Sequence, residues 1–228
     1  MNNGTVKTLC LVPAFNEEGI IASTIAALLE IEAIDSVVVL DDHSSDRTSL
    51  EAARMGVRVI RNGENLGKGS SINRVLPHFD FGYLLLIDGD LGAHAARARV
   101  LLEATLNDET DLAVASFPPP TRKGGFGFVK GLARFGIKRL TGREFTSPIS
   151  GQRAMNRKAF SATFPFDPGF GIEVGMTVDA LRSGLRVSEI PTDMSHRETG
   201  RDIAGFVHRG KQFIDIFFAL SRRLFGGK

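Results

Sequence analysis

The 228-residue sequence contains a single cysteine, Cys10, so no internal disulfide can form. Its place in the apolar run 9–12 marks it as a small buried hydrophobe suited to a reducing compartment. No run approaches the roughly 18 apolar residues of a membrane span, and the start MNNGTVKTLCLVP lacks the basic opening and long apolar stretch of an export signal. A cytoplasmic location is therefore expected. Low complexity and internal repeats are also missing. With 43% hydrophobic and 24% charged residues, the composition excludes a disordered chain and fits one folded domain over 1–228. The net charge of +2 excludes a strong overall field. Its distribution is uneven, however: the stretch 112–143 carries seven basic residues (Arg122, Lys123, Lys130, Arg134, Lys138, Arg139, Arg143) and no acidic one. Such a stretch favours phosphates or an anionic surface. Nucleic acid is not an expected partner, because the basic stretch has no recognised reader motif.

What is present is an alternation. Short apolar runs at 7–13, 36–41, 57–61, 83–88 and 111–116 read as strands, and 17–30, 46–55, 68–78 and 94–106 carry helical patterns between them. This is the order of βαβ units, and it predicts an α/β fold with a mainly parallel central sheet flanked by helices. Ligands bind such sheets beyond the carboxyl ends of the strands, and the polar clusters fall there. The regular alternation covers 1–116, and 117–228 is less regular. In the second half, 126–141 and 203–225 read as amphipathic helices. Lys130, Arg134 and Lys138 lie on one face of the first, and Phe206, Val207, Phe213, Ile214, Phe217, Phe218 and Leu224 form the apolar side of the second. Packing of 203–225 on the sheet is the expected use of that side, with contact to a membrane surface left open.

Several clusters carry chemistry. Asp88-Gly89-Asp90 closes one strand, and two carboxylates one residue apart offer the hard oxygens that suit Mg²⁺ or Mn²⁺. Taken alone, the tripeptide reads more readily as a turn. Asp41-Asp42 closes another strand and can accept hydrogen bonds from a base or a ribose, while Ser45 or Asp46 caps the helix that follows. Asn16 is expected to cap the helix opened by Glu17 and Glu18. Lys68 stands between Gly67 and Gly69 at a loop-to-helix junction, where backbone N–H groups and one cation can meet a phosphate or a nucleobase carbonyl; the spacing is not that of a Walker loop.

In this order, LVPAFNEE, VVVLDDHSSDRT, NLGKG, LLLIDGDL, SGQRAMNRKAF and GFGIEVGMTVDALRSGLRVSEIP resemble glycosyltransferase family 2 over nearly the whole chain. The resemblance implies the GT-A (nucleotide-diphospho-sugar transferase) fold, with 1–116 as the half that binds the nucleotide-sugar donor and 117–228 as the acceptor-binding half, and points to UDP-glucose as donor. It implies that Pro13, Phe15, Glu17 and Asp42 line the base and ribose site with Lys68 close by, that Asp88 faces the donor and that Asp90 holds the metal. TGREFTSPISGQRA looks like polyprenyl-phosphate glycosyltransferases, which sets Arg143 and Arg153 toward an acceptor phosphate. PFDPGFGIEVG with SHRETGR is also similar to glucosyl-3-phosphoglycerate synthases, which makes His196 a metal ligand and Glu173 an active-site carboxylate. Arg197 and Arg201 beside His196 either add positive charge at the diphosphate or are solvated helix-end cations. The sequence has no tryptophan, so the Gln-x-x-Arg-Trp signature of processive polysaccharide synthases is absent, as is their Glu-Asp pair; chain polymerisation is not expected. Gly92 stands where dolichyl-phosphate mannose synthases often carry Gln. Three readings stay open: hexose transfer to a polyprenyl phosphate at the inner face of the membrane, slightly favoured; retaining transfer to a soluble phosphoglycerate; and a nucleotide-sugar-binding module without turnover. A homodimer is left open.

Overall fold

The structure, a computed structural model, describes residues 7–117, 127–194 and 203–227, the stretch 203–209 as backbone alone. Seven strands form one sheet in the order β3-β2-β1-β4-β6-β5-β7. The expected strands appear as β1 (Thr8–Ala14), β2 (Ser36–Asp41), β3 (Arg58–Arg61), β4 (Tyr83–Leu86) and β5 (Leu112–Ser116). β1 lies centrally, parallel to β2 on one side (Leu9 opposite Ser36) and to β4 on the other (Leu9 opposite Leu84).

These strands are apolar nearly throughout because both faces of the sheet are covered. Alternation along β1 sends Leu9 and Leu11 to one core layer, with Val38, Leu40, Leu84, Leu86, Ile72 and Ile137. Cys10 and Val12 go to the opposite layer, with Val37, Val39, Leu85, Ile25 and Leu101. Cys10 is fully buried, and burial pushes its thiol well above the usual range, which agrees with its reading as an inert small hydrophobe.

The helices between the strands are α1 (Ile21–Leu29), α2 (Thr48–Arg54), α3 (Lys68–Val75) and α4 (Arg99–Leu106), the last preceded by a 3-10 segment over 92–98. α1 begins four residues later than its periodicity suggests. Asn16 does not cap it: this residue has φ 57°, and its Oδ1 accepts from Ser45 N at 2.8 Å, across to the loop after β2. Asp46 does support the start of α2, accepting from Thr48 N at 2.9 Å.

The second half adds α5 (Gly127–Thr141), β6 (Arg153–Asn156), α6 (Arg157–Thr163), α7 (Ile172–Arg182), β7 (Val187–Pro191) and α8 (Ile203–Leu224). β6 runs antiparallel between β4 and β5, and β7 closes the edge parallel to β5. Asn156 ends β6 and caps α6, accepting from Ala159 N at 2.9 Å.

α5 and α8 pack on each other, and a Cβ at Gly136 would overlap the Leu220 side chain, so glycine sets that close approach. α8 buries Ile216, Ala219, Leu220 and Arg223. This corrects the expected packing face, because Phe213, Ile214, Phe217, Phe218 and Leu224 are exposed; Phe206 and Val207 lie outside the described side chains. Ion pairs explain the rotation. Arg223 bridges Asp179 and Asp167 (2.7 Å to the latter), and Arg222 also meets Asp167. Asp215, which interrupts the apolar surface in the sequence, accepts from Phe170 N at 3.0 Å. Turning the Phe-rich stripe inward would leave these buried carboxylates without cations, at a cost of about 3–5 kcal/mol for a broken buried pair.

Candidate functional site

The carboxyl ends of β1, β2 and β4 deliver their loops to one rim of the sheet. The loop after β1 is stitched to the one after β2: Asn16 N donates to Ser44 Oγ (2.9 Å), Glu17 N to Thr48 Oγ1 (2.7 Å) and Glu18 N to Asp46 Oδ2 (3.1 Å). On this rim Pro13 is half-buried, Glu17 half-buried and Phe15 exposed. An exposed ring at a nucleotide rim can stack on a base.

Asp42 is buried and engaged on both oxygens. Its Oδ1 accepts from Asn62 Nδ2 (2.7 Å), Leu66 N (2.9 Å) and Ser71 Oγ (2.6 Å), and its Oδ2 accepts from Gly67 N (2.8 Å). Burial would raise its pKa, but these four donors hold the carboxyl below its usual range. Asp42 therefore shapes the loop into α3 from beneath. Its Oδ2 accepts a single one of these bonds and keeps acceptor capacity, so the support of the loop stands beside the expected ligand contact.

That loop sets Lys68 at the first position of α3, after Gly67 at φ 79°, a left-handed conformation that favours glycine. Lys68 Nζ donates to Asp88 Oδ1 at 2.6 Å and to Glu173 Oε1 at 2.8 Å. The lysine side chain is 18% exposed, Asp88 29% and Glu173 8%. Burial alone would pull the ammonium down, yet the two carboxylates hold it above the usual lysine value. Lys68 is thus a bridge between the turn after β4 and the first turn of α7, where Glu173 stands 105 residues after the lysine in sequence.

Asp88-Gly89-Asp90 forms the turn after β4. Gly89 N donates to Pro13 O (3.2 Å), and a Cβ at Gly89 would stand 3.1 Å from Ala14 Cβ. Thr24 of α1 donates to Gly89 O and accepts from Gly92 N, both at 2.8 Å. The turn reading holds, since the turn is anchored on two sides, and Asp88 and Asp90 stand half-buried on the rim. Among the described residues no cluster of three or more His, Cys, Asp or Glu forms a complete metal site. Two hard carboxylates one residue apart nevertheless fit a Mg²⁺- or Mn²⁺-type ion that takes its remaining oxygens from a ligand. His196, Arg197 and Arg201 lie outside the described residues.

The acceptor-side arginines separate. Arg143 is exposed on the loop after α5. Arg153 is 1% exposed and is corrected from a phosphate-facing group to a buried one. Its Nε donates to Ser150 O (2.9 Å), one Nη to Thr177 Oγ1 (2.9 Å) and the other to Pro148 O (3.3 Å). Burial pulls its guanidinium below the usual value, opposed by Glu173, Glu189 and Asp88. It braces the loop 147–152 against α7, and Glu189 braces the same loop by accepting from Thr146 N at 2.8 Å.

Residues absent from the expectations sit on this loop. Gln152 is fully buried and donates from Nε2 to Asp88 Oδ2 at 3.0 Å. Gly151 packs so closely that a Cβ there would overlap Asp88 Oδ2 and come 2.6 Å from Lys68 Nζ. The available signal was the segment SGQRA, which carries part of the family resemblance and in which Arg153 alone received a role. The rim therefore converges on Lys68, Asp88, Gln152 and Glu173, drawn from four separate parts of the chain.

Comparison with known proteins agrees with this geometry. The family model described as glycosyl transferase family 2 matches residues 10–164. Glycosyltransferase AglJ of Haloferax volcanii is 28% identical over 204 residues, covering 87% of this chain and 66% of that protein. Glucosyl-3-phosphoglycerate synthase of Mycobacterium tuberculosis is 28% identical over 232 residues, covering 89% and 71%. The crystal structure of that synthase with Mn²⁺, uridine diphosphate and phosphoglyceric acid superposes with a TM-score of 0.80 at 26% identity, over 98% of this chain and 80% of the other. The chain has the GT-A fold, and with more than half its length inside the family model it belongs to glycosyltransferase family 2.

Proposed function

We propose that the protein transfers a hexose, UDP-glucose being the favoured donor, to a phosphate-bearing acceptor, and that this acceptor is a polyprenyl phosphate met at the inner face of the membrane. The observation that carries the chemistry is the convergence of Asp88, Lys68 and Glu173 on the rim where β1, β2 and β4 end. The relatives supply the donor class and the metal: solved structures of the mycobacterial synthase hold uridine diphosphate with Mn²⁺ or Mg²⁺.

Phe15 and Pro13 offer apolar surface to a base, and Asp88 offers a half-exposed carboxylate to a sugar or ribose hydroxyl. Asp90 would hold the divalent ion, which would neutralise charge on a diphosphate leaving group when bound. In the transfer, a phosphate oxygen of the acceptor forms the new bond to the anomeric carbon while the bond to the diphosphate oxygen breaks, its electron pair leaving with the nucleoside diphosphate. An anionic phosphate needs no general base. Glu173, held by Lys68, then orients groups at the centre.

The acceptor reading rests on α5 and α8. Phe128 and Phe135 on α5, and Phe213, Phe217, Phe218 and Phe225 in or after α8, are exposed. Arg134, Lys138, Arg139, Lys211 and Arg222 are exposed on the same two helices. Aromatic side chains interleaved with cations suit the headgroup boundary of an anionic bilayer. No described helix is long and apolar enough to cross one. A second reading, transfer to a phosphoglycerate, is favoured by the 98% coverage of this chain in the superposition on the synthase that holds phosphoglyceric acid.

The test incubates the protein with UDP-glucose and Mn²⁺ and either polyprenyl phosphate in anionic vesicles or 3-phosphoglycerate without lipid. A glycosylated polyprenyl phosphate formed only in the first arm supports the proposal. Product in the lipid-free arm alone replaces it with the second reading, and donor binding without product in either arm leaves a binding module.

A further inference from the structure

The two carboxylates of the turn after β4 reach the rim by different routes. Asp88 is fixed through its side chain, by Lys68 Nζ at 2.6 Å and Gln152 Nε2 at 3.0 Å. Asp90 leaves the backbone between the peptide groups of Gly89 and Gly92, and whatever fixes these sets where its carboxylate stands. One atom fixes both. Thr24 Oγ1, on α1, donates to Gly89 O and accepts from Gly92 N, each at 2.8 Å and each bond buried. Among the described residues no other group is bonded to either.

A hydroxyl carries one proton and two lone pairs, so a single oxygen can close the turn from its two ends. A helical threonine commonly turns its hydroxyl back to the carbonyl four residues earlier. Here that carbonyl, Ile20 O, is 3.4 Å away, so the proton belongs to Gly89 O. The neighbours of Thr24 press on the same turn. A Cβ at Gly89 would stand 3.2 Å from Ile21 Cδ1, and one at Gly92, whose φ of 54° favours glycine, 3.3 Å from Ile20 Cδ1. Ile20, Ile21 and Thr24 are therefore the mould in which the turn is cast. Thr24 is 0% exposed, so it touches no ligand and acts only through the turn.

We propose that Thr24 is a positioning residue for the divalent ion: its hydroxyl fixes the Gly89 and Gly92 peptide groups and through them the place of the Asp90 carboxylate. This role depends on the reading of Asp90 as the residue that holds the ion. Without the hydroxyl, two buried peptide groups lose their partner, and the turn has to shift to regain one. Asp90 moves with it. Groups that orient a metal ligand in this way are worth about 10–100-fold in metal affinity or activity. A threonine that merely completes the packing of α1 against the turn would change stability and leave metal affinity alone.

The experiment measures Mn²⁺ binding in the presence of UDP by the proton relaxation enhancement of water, for the wild type, Thr24→Val, Thr24→Ser and Asp90→Asn, each confirmed as folded by circular dichroism. Thr24→Val keeps the shape and strips the hydroxyl, and it should bind Mn²⁺ about tenfold or more weakly. Thr24→Ser keeps the hydroxyl and should stay within about threefold of the wild type. Should Thr24→Val fail to fold, Thr24→Ala removes the hydroxyl without pressing a methyl on the two peptide groups and is read in the same way. Wild-type affinity in the variant without the hydroxyl, with binding lost in Asp90→Asn, overturns the role of Thr24 and leaves Asp90 as the metal ligand. Equal weakening in Thr24→Ser and Thr24→Val assigns the effect to the methyl group and also overturns it. Wild-type affinity in Asp90→Asn, or no Mn²⁺ binding by the wild type, removes the reading of Asp90 and the role of Thr24 together.

Discussion

Replacing Lys68 by Met removes the cation from a bridge whose two carboxylates are 71% and 92% covered, judged from side-chain exposures of 29% and 8%. Breaking a buried pair from one side costs about 3–5 kcal/mol, because the charge left behind is no longer compensated. Asp88 reaches solvent in part and keeps the Gln152 amide at 3.0 Å, which lowers the expected loss to about 2–4 kcal/mol. For a chain of this size each kcal/mol moves the melting temperature by about 2–4 °C, so a central loss of about 3 kcal/mol lowers it by about 6–12 °C. The origin of the loss is testable within the same series. Adding Glu173→Gln to Lys68→Met neutralises the more buried carboxylate, and the double variant should regain about 1–2 kcal/mol over the sum of the two single losses. Urea unfolding of the four proteins measures this. Stability of Lys68→Met within about 0.5 kcal/mol of the wild type, or strictly additive losses, would refute the bridge as an energetic unit.

Other expectations follow from the same geometry. Asp42 is held below the usual carboxylate range by four donors, so its contribution is complete above the unfolded value near pH 3.9 and fades as pH falls through the folded value. Asp42→Asn should then show a shallower acid loss of stability below about pH 4 than the wild type, followed by circular dichroism. Gly151→Ala should displace the ends of Asp88 and Lys68 and lower kcat by about 10²-fold with little change in urea midpoint, whereas Gly69→Ala meets the backbone carbonyl of Asp167 and should lose about 2 kcal/mol or more. Phe217→Ser with Phe218→Ser should leave stability within about 0.5 kcal/mol, since both are exposed, and weaken binding to anionic vesicles in a flotation assay.

Local periodicity made the first half of the chain legible. Five strands and four intervening helices follow from apolar runs of the right length, and parallel pairing follows from the helices between them. The rim followed too, because a parallel sheet brings its strand ends to one side: Asp42 and Asp88 come just after such ends, and Lys68 opens the helix after β3. β6 was hidden for a physical reason: Arg-Ala-Met-Asn is short and half polar, and becomes a strand only because β4 and β5 lie on either side of it. Arg153 shows the same limit in a single side chain. An arginine in the sequence reads as a solvent-facing cation, whereas here the three hydrogen bonds it donates to Pro148, Ser150 and Thr177 hold it inside.

The orientation of α8 carries this argument furthest. Its apolar positions outnumber the places available against α5 and α7, so hydrophobicity alone leaves its rotation about its own axis unspecified. Charge makes the choice. Asp167 and Asp179 are buried, and only the face that carries Arg223 can neutralise both, with Arg222 reaching Asp167 from the edge. Ile216, Ala219 and Leu220 then turn inward with Arg223, and the phenylalanines at 213, 217 and 218 turn out. An exposed row of aromatics on a stable helix is thus a consequence of where the buried aspartates stand. Arg223→Met makes this measurable: it should lose about 3–5 kcal/mol in urea unfolding by stranding those carboxylates, while Arg223→Met with Asp167→Asn and Asp179→Asn should recover most of that loss. A single variant as stable as the wild type would show that packing of Ile216 and Leu220, and not charge, orients the helix.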